Sequence, residues 1–147
     1  MSADACPLPS PTEPETGAII EKMLKYQRIA IVGLSDDPSR PSHEIGSYLI
    51  SVGKEIIPIN PNVSEVLGRK SYATLADVPG RIDLVNVFRK PEACADITRQ
   101  AIAIGAKGIW LQSGIVSDEA RDLAKKAGID FVQNQCILVQ HSMRHPR

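Results

Sequence analysis

Five short apolar runs recur along the chain, and the stretches between most of them carry apolar residues at helical spacing. Ile29-Ala-Ile-Val32 is apolar without a break, as expected for a parallel strand covered on both faces. Ile56, Ile57 and Ile59 mark a second strand, Leu84, Val85 and Val87 a third, Ile109 to Leu111 a fourth, and Ile129 to Val132 a fifth. The predicted strands are residues 28–34, 55–60, 82–88, 108–112 and 129–132. A helix over 16–27 places Ile19, Ile20, Met23 and Leu24 on one side. The next, over 42–52, buries Ile45, Leu49 and Ile50 and stops at Gly53. A helix opening at Pro91 buries Cys94, Ile97, Ala101 and Ile104 and ends at Gly105. Ser117 caps a fourth over 117–127, with Asp118 and Glu119 in its first turn and Gly128 at its end. A short helix over 137–143 closes the series. Alternating strands and helices predict one doubly wound parallel α/β sheet with helices on both faces. The expected order of its five main strands is 3-2-1-4-5, reversing between the first and the fourth.

Two stretches resist this pattern. Pro58 stands inside the second strand, although proline cannot donate to a ladder; it predicts an outward-facing position or a bulge. Residues 63–79 hold no long periodic run, so Glu65-Val-Leu-Gly68 is expected as a short helical turn and Leu75-Ala-Asp-Val-Pro79 as another turn.

Composition narrows the function classes. With 147 residues the chain suffices for one domain with a real core. Prolines at 7, 9, 11 and 14 predict a disordered tail over residues 1–15, leaving 16–147 as a single domain. Seventeen basic residues balance seventeen acidic ones, which argues against a general nucleic-acid binder. Neither a basic-then-apolar leader nor an apolar run long enough to span a bilayer is visible, so the expected setting is the cytoplasm, away from membranes. Three scattered cysteines, Cys6, Cys94 and Cys136, suit reduced thiols; Cys94 reads as core and Cys136 as a small buried residue.

Ligands of doubly wound sheets sit beyond the carboxyl ends of the strands, where the order reverses. Four segments are expected there. The first holds Gly33, Leu34, Ser35, Arg40, Pro41 and Ser42; the second Asn60 and Pro61; the third Val87, Phe88 and Arg89; the fourth Gln112, Gly114 and Ile115. Gly33 permits close approach of another group. Ser42 reads as the N-cap of the following helix, whose first N–H groups lack internal partners and suit a phosphate. Arg40 in the same loop adds charge-assisted bonds.

These segments also carry a resemblance. Val32-Gly-Leu-Ser35, Arg40-Pro-Ser42, Ile57-Pro-Ile-Asn-Pro61, Val87-Phe-Arg-Lys-Pro91, Gly105-Ala-Lys107 and Trp110-Leu-Gln-Ser-Gly-Ile115 occur in that order. In them the chain resembles the small stand-alone CoA-binding proteins, a family similar to the CoA-binding domain of succinyl-CoA synthetase. The resemblance spans about residues 29–141 and implies a Rossmann-like fold with coenzyme A or acyl-CoA as ligand. It implies pyrophosphate on the first loop, adenine near Asn60-Pro61 and the end of the third strand, and Phe88 and Arg89 against the ligand. A homodimer or a partner enzyme is left open.

The rival reading is an enzyme using NAD(P) or acyl-CoA in the same crevice. Against NAD, Leu34 and Ser35 follow Gly33 where the dinucleotide fingerprint needs a second glycine, and the second strand ends in Asn60-Pro61 rather than an acid. For NADP, Asn62-Val-Ser offers no basic residue. No nucleophile–base set is readable, and no catalytic residue is assigned. The phosphorylated histidine of succinyl-CoA synthetase belongs to its ligase domain, so that role does not pass to His43, which reads as solvent-facing. His141 and His145 stand four apart but lack the further ligands a metal needs.

Overall fold

The computed structural model describes residues 14–145. Most of the expected tail therefore lies outside the described residues, and its last two positions open the first helix. In chain order the elements are α1 (Pro14–Leu24), β1 (Arg28–Val32), α2 (Pro41–Ser51), β2 (Glu55–Ile59), β3 (Glu65–Val66), β4 (Arg69–Lys70), a 3-10 turn (Leu75–Asp77), β5 (Leu84–Val87), α3 (Pro91–Ala103), β6 (Gly108–Leu111), α4 (Asp118–Ala127), β7 (Asp130–Val132) and α5 (Ile137–Arg144).

The expected class holds: five parallel strands form a Rossmann-like α/β sheet, in the order β2-β1-β5-β6-β7. Period-two alternation along the strands builds a core on each face. Ile29, Ile31, Ile56, Leu84 and Trp110 face α1, α2 and α5. Ala30, Val32, Ile57, Val85, Val87, Ile109 and Leu111 face α3 and α4. Trp110 is wholly buried, and its indole N–H donates to Gln135 O at 2.8 Å. The helix ends follow the sequence: Ser117 accepts from the Ala120 N–H, and Gly128 adopts the left-handed conformation that closes α4.

The strand order is a correction. Counting main strands only, it is 2-1-3-4-5, not 3-2-1-4-5; the third strand, β5, pairs with β1 and leaves β2 at the edge. Pro58 gives the physical reason. On the outer side of β2 the Tyr72 N–H donates to Pro58 O and the Asn60 N–H donates to Tyr72 O, so residues 58 and 60 turn their amides outward. A strand docked there would meet a position with no N–H to offer, which suits an edge and not the middle of a sheet. Among the described residues that side carries no further strand, just an isolated bridge between Ile59 and Tyr72.

A second correction concerns residues 65–70, which form a hairpin rather than a helical turn. Leu67 and Gly68 both have positive φ, 53° and 75°, the pattern of a tight two-residue hairpin turn. The expected turn at 75–79 is the 3-10 turn (Leu75–Asp77): the Thr74 N–H and hydroxyl both donate to Asp77 Oδ2, and the Asp77 N–H donates to Thr74 O. Ser42 is a third correction. Arg40 is the N-cap, Pro41 is the first helical residue, and no side chain caps α2.

The last helix is fastened to α2 by a titratable contact. The Tyr48 hydroxyl and His141 Nδ1 lie 2.7 Å apart, and the His145 ring stacks on His141 with centroids 4.5 Å apart. Burial, with His145 and Lys54 adding to it, holds His141 below the ordinary imidazole value of 6.5. In the window between the folded and unfolded values the unfolded chain binds the extra proton, so stability there rises with pH. Urea melts are expected to show lower stability at pH 5.5 than at pH 7.5. His141→Gln should flatten that difference; an undiminished slope in the variant would place the effect elsewhere.

Candidate functional site

Two adjoining depressions open at the carboxyl ends of β1, β2 and β5. The larger, about 420 Å³, runs between the connection after β2 and the flank of α3. The smaller, about 350 Å³, lies against the loop after β1 and the start of α2. Gly33 and Phe88 line both, so the two are continuous at the point where the strand order reverses.

The loop over residues 33–42 is built by its own polar groups. Gly33 ends β1 with φ +86° and donates its N–H to Ile59 O at 2.9 Å. Ser42 Oγ accepts from the Ser35 N–H at 3.0 Å, so Ser42 braces the loop from inside the helix. Ser35 Oγ accepts from the Asp37 N–H, and Asp37 Oδ1 accepts from both the N–H and the hydroxyl of Ser39. The bonds from Ser39, backbone first, hold the Asp37 carboxyl below its ordinary value, with Arg40 and His43 contributing less. Arg40 is exposed, and its carbonyl accepts the His43 and Glu44 N–H groups. The result is an uncapped helix start beside an exposed guanidinium, an arrangement suited to an anion.

Asn60 ties this loop to the second segment. Its Nδ2 donates to Leu34 O at 3.0 Å, and its Oδ1 accepts from the Asn62 N–H at 2.9 Å. On the opposite side Phe88 is half-buried and Arg89 exposed, both at the end of β5.

Of the residues expected from the sequence, Gly33, Ser35, Arg40, Pro41, Ser42, Asn60, Pro61, Phe88 and Arg89 line the two depressions. Leu34 and Val87 stand behind them, each fully buried, with Leu34 contributing its carbonyl to Asn60. Gln112, Gly114 and Ile115 are not in the lining. Gln112 is 2% exposed; its Nε2 donates to Asn86 Oδ1, and its Oε1 accepts from the Ile137 N–H that opens α5. The Gly114 N–H is taken by Asn134 Oδ1, and Ile115 packs on the core. Since β5 occupies the place beside β1, the end of β6 stands one strand away from the reversal.

The sequence reading missed the far wall of the larger depression: Asn62, Thr74, Asp96 and Gln100. Asp96 and Gln100 are four apart on α3, which marks them as one polar face but not what that face meets. His43 lies on α2, is half-buried and lines neither depression. Among the described residues no three His, Cys, Asp or Glu side chains converge to hold a metal ion. Among those residues, too, no helix is long and apolar enough to cross a membrane.

Fold and groove define a doubly wound α/β protein with a ligand-sized cleft at the switch point of its sheet. Residues 27–142 match the model of the family described as a CoA binding domain, and the chain belongs to that family. It is 38% identical over 130 residues to the uncharacterized protein YneT of Bacillus subtilis, covering 88% of this chain and 96% of YneT. It is also 24% identical over 135 residues to the alpha subunit of ADP-forming acetate–CoA ligase II of Pyrococcus furiosus. That likeness covers 82% of this chain but 30% of the ligase subunit. Among solved structures, a hypothetical protein from Pyrococcus horikoshii superposes with a TM-score of 0.85 at 35% identity, over 92% of this chain and 98% of the other.

Proposed function

We propose that the chain binds coenzyme A or an acyl-CoA along the groove at the ends of β1, β2 and β5. The pyrophosphate lies on the loop over residues 33–42 and the start of α2, within reach of Arg40. The adenine end occupies the larger depression beside Asn60, Pro61, Phe88 and Arg89. An extended ligand continues past the reversal point toward Gly114 and Ile115. The observation that carries this reading is the continuity of the two depressions at Gly33 and Phe88, which joins a basic, uncapped helix start to a slot of mixed polarity. Family membership supports the choice of ligand.

Thermal unfolding with CoA, NAD and NADP at equal concentration tests it. A ligand held at one hundred times its dissociation constant adds about 2.7 kcal/mol of stability. For a domain of this size that is a rise of several degrees. The expected order has CoA well above both dinucleotides. A larger rise with NAD or NADP would overturn the proposal in favour of a dinucleotide enzyme.

A further inference from the structure

The larger depression is electrically polarised along its length. Arg89 stands at the end of β5, and Asp96 lies six residues into α3 from its Lys90 cap, about 9 Å along the helix axis. Ile59, Leu75 and Ile97 supply apolar wall between these groups. Asp96 is held in place from the next turn: its Oδ2 accepts from Gln100 Nε2 at 3.0 Å. Among the described residues nothing else bonds the Asp96 carboxylate, so Oδ1 is an exposed acceptor on the wall of this slot of mixed polarity. The Asn60 amide on the same lining holds Leu34 O and the Asn62 N–H.

Such a wall favours a flat apolar ring whose edge donates a hydrogen bond, and it repels phosphate. We infer that Asp96, positioned by Gln100, reads the exocyclic amine of the adenine and sets base specificity in the groove. This deepens the CoA proposal above and rests on it. A carboxylate accepts and cannot donate. At that position the 6-amino group of adenine satisfies it, whereas the 6-oxo group of hypoxanthine sets two acceptors against each other. The same charge orients the ligand, since phosphates turn to the Arg40 and Arg89 side and leave the base at α3.

The test uses adenosine 3′,5′-bisphosphate and its inosine counterpart as probes, with CoA as reference, in calorimetric titrations of wild type, Asp96→Ala and Asp96→Asn. Asp96 is exposed, so both variants are expected to melt as the wild type does. Wild type should prefer the adenosine probe by about tenfold or more, the lower bound for a hydrogen bond to a charged group. Asp96→Ala should lose that preference. Asp96→Asn, which can turn its amide to donate, should gain affinity for the inosine probe. Equal binding of the two probes by wild type, or an unchanged preference in Asp96→Ala, would overturn base reading while CoA binding still stood. Failure of CoA itself to bind would overturn the underlying proposal together with this one.

Discussion

Gly33→Ala is expected to unfold at a temperature roughly 10 °C below the wild type and to lose measurable CoA binding. The residue sits at φ +86°, where an L side chain is strained. A Cβ there would also lie 2.6 Å from the carbonyl oxygen of Phe88. That oxygen belongs to the backbone at the end of β5, and Phe88 is itself pinned by its N–H bond to Val32 O. Relief therefore requires β1 and β5 to part at the point where the two depressions join. Strain and overpacking together amount to about 2–6 kcal/mol, and for a chain of this length that converts to a shift of this size. Gly53→Ala supplies the control. Gly53 has φ +91°, but a Cβ there meets nothing within 4 Å. Its loss should be the smaller, from backbone strain alone. Equal destabilisation of the two variants in thermal melts would show that the contact with Phe88 contributes nothing.

Arg40→Ala should weaken CoA binding by about 1.5–3 kcal/mol, the range for a hydrogen bond to a charged group, and leave the melting temperature almost unchanged. Arg40 serves α2 through its carbonyl, which alanine retains, and its side chain makes no cap bond. The guanidinium is exposed beside a helix start that no other side chain closes. Pro38 and Pro41 restrict the loop on either side of it. Dephospho-CoA tells which phosphate it meets. A loss shared by CoA and dephospho-CoA assigns Arg40 to the pyrophosphate, which the common loop favours; a loss confined to CoA assigns it to the ribose 3′-phosphate. Calorimetry showing full CoA affinity in folded Arg40→Ala would remove Arg40 from the site.

The alternation of apolar runs determined the elements and the class of fold. Each strand of the parallel sheet carries consecutive apolar residues because both faces of that sheet are covered, and that signal is local. Local chemistry likewise fixed the ends of α4, since Ser117 and Gly128 act on atoms within a turn of themselves. It also fixed the loop after β1, whose glycine, serines and prolines stand together in the chain. The order of the strands was decided only by the tertiary structure. Pro58 announced an outward-facing amide from the sequence, but which strand would sit beside β1 depends on packing between segments distant along the chain. Placing β5 there moved the reversal point, brought Phe88 and Arg89 against Gly33, and left Gln112 to a buried network with Asn86 and α5. The wall formed by Asp96 and Gln100 belongs to the same class of fact. Their spacing put them on one face of α3, and only the docking of that helix beside the turn at Leu75–Asp77 turned the face toward the groove.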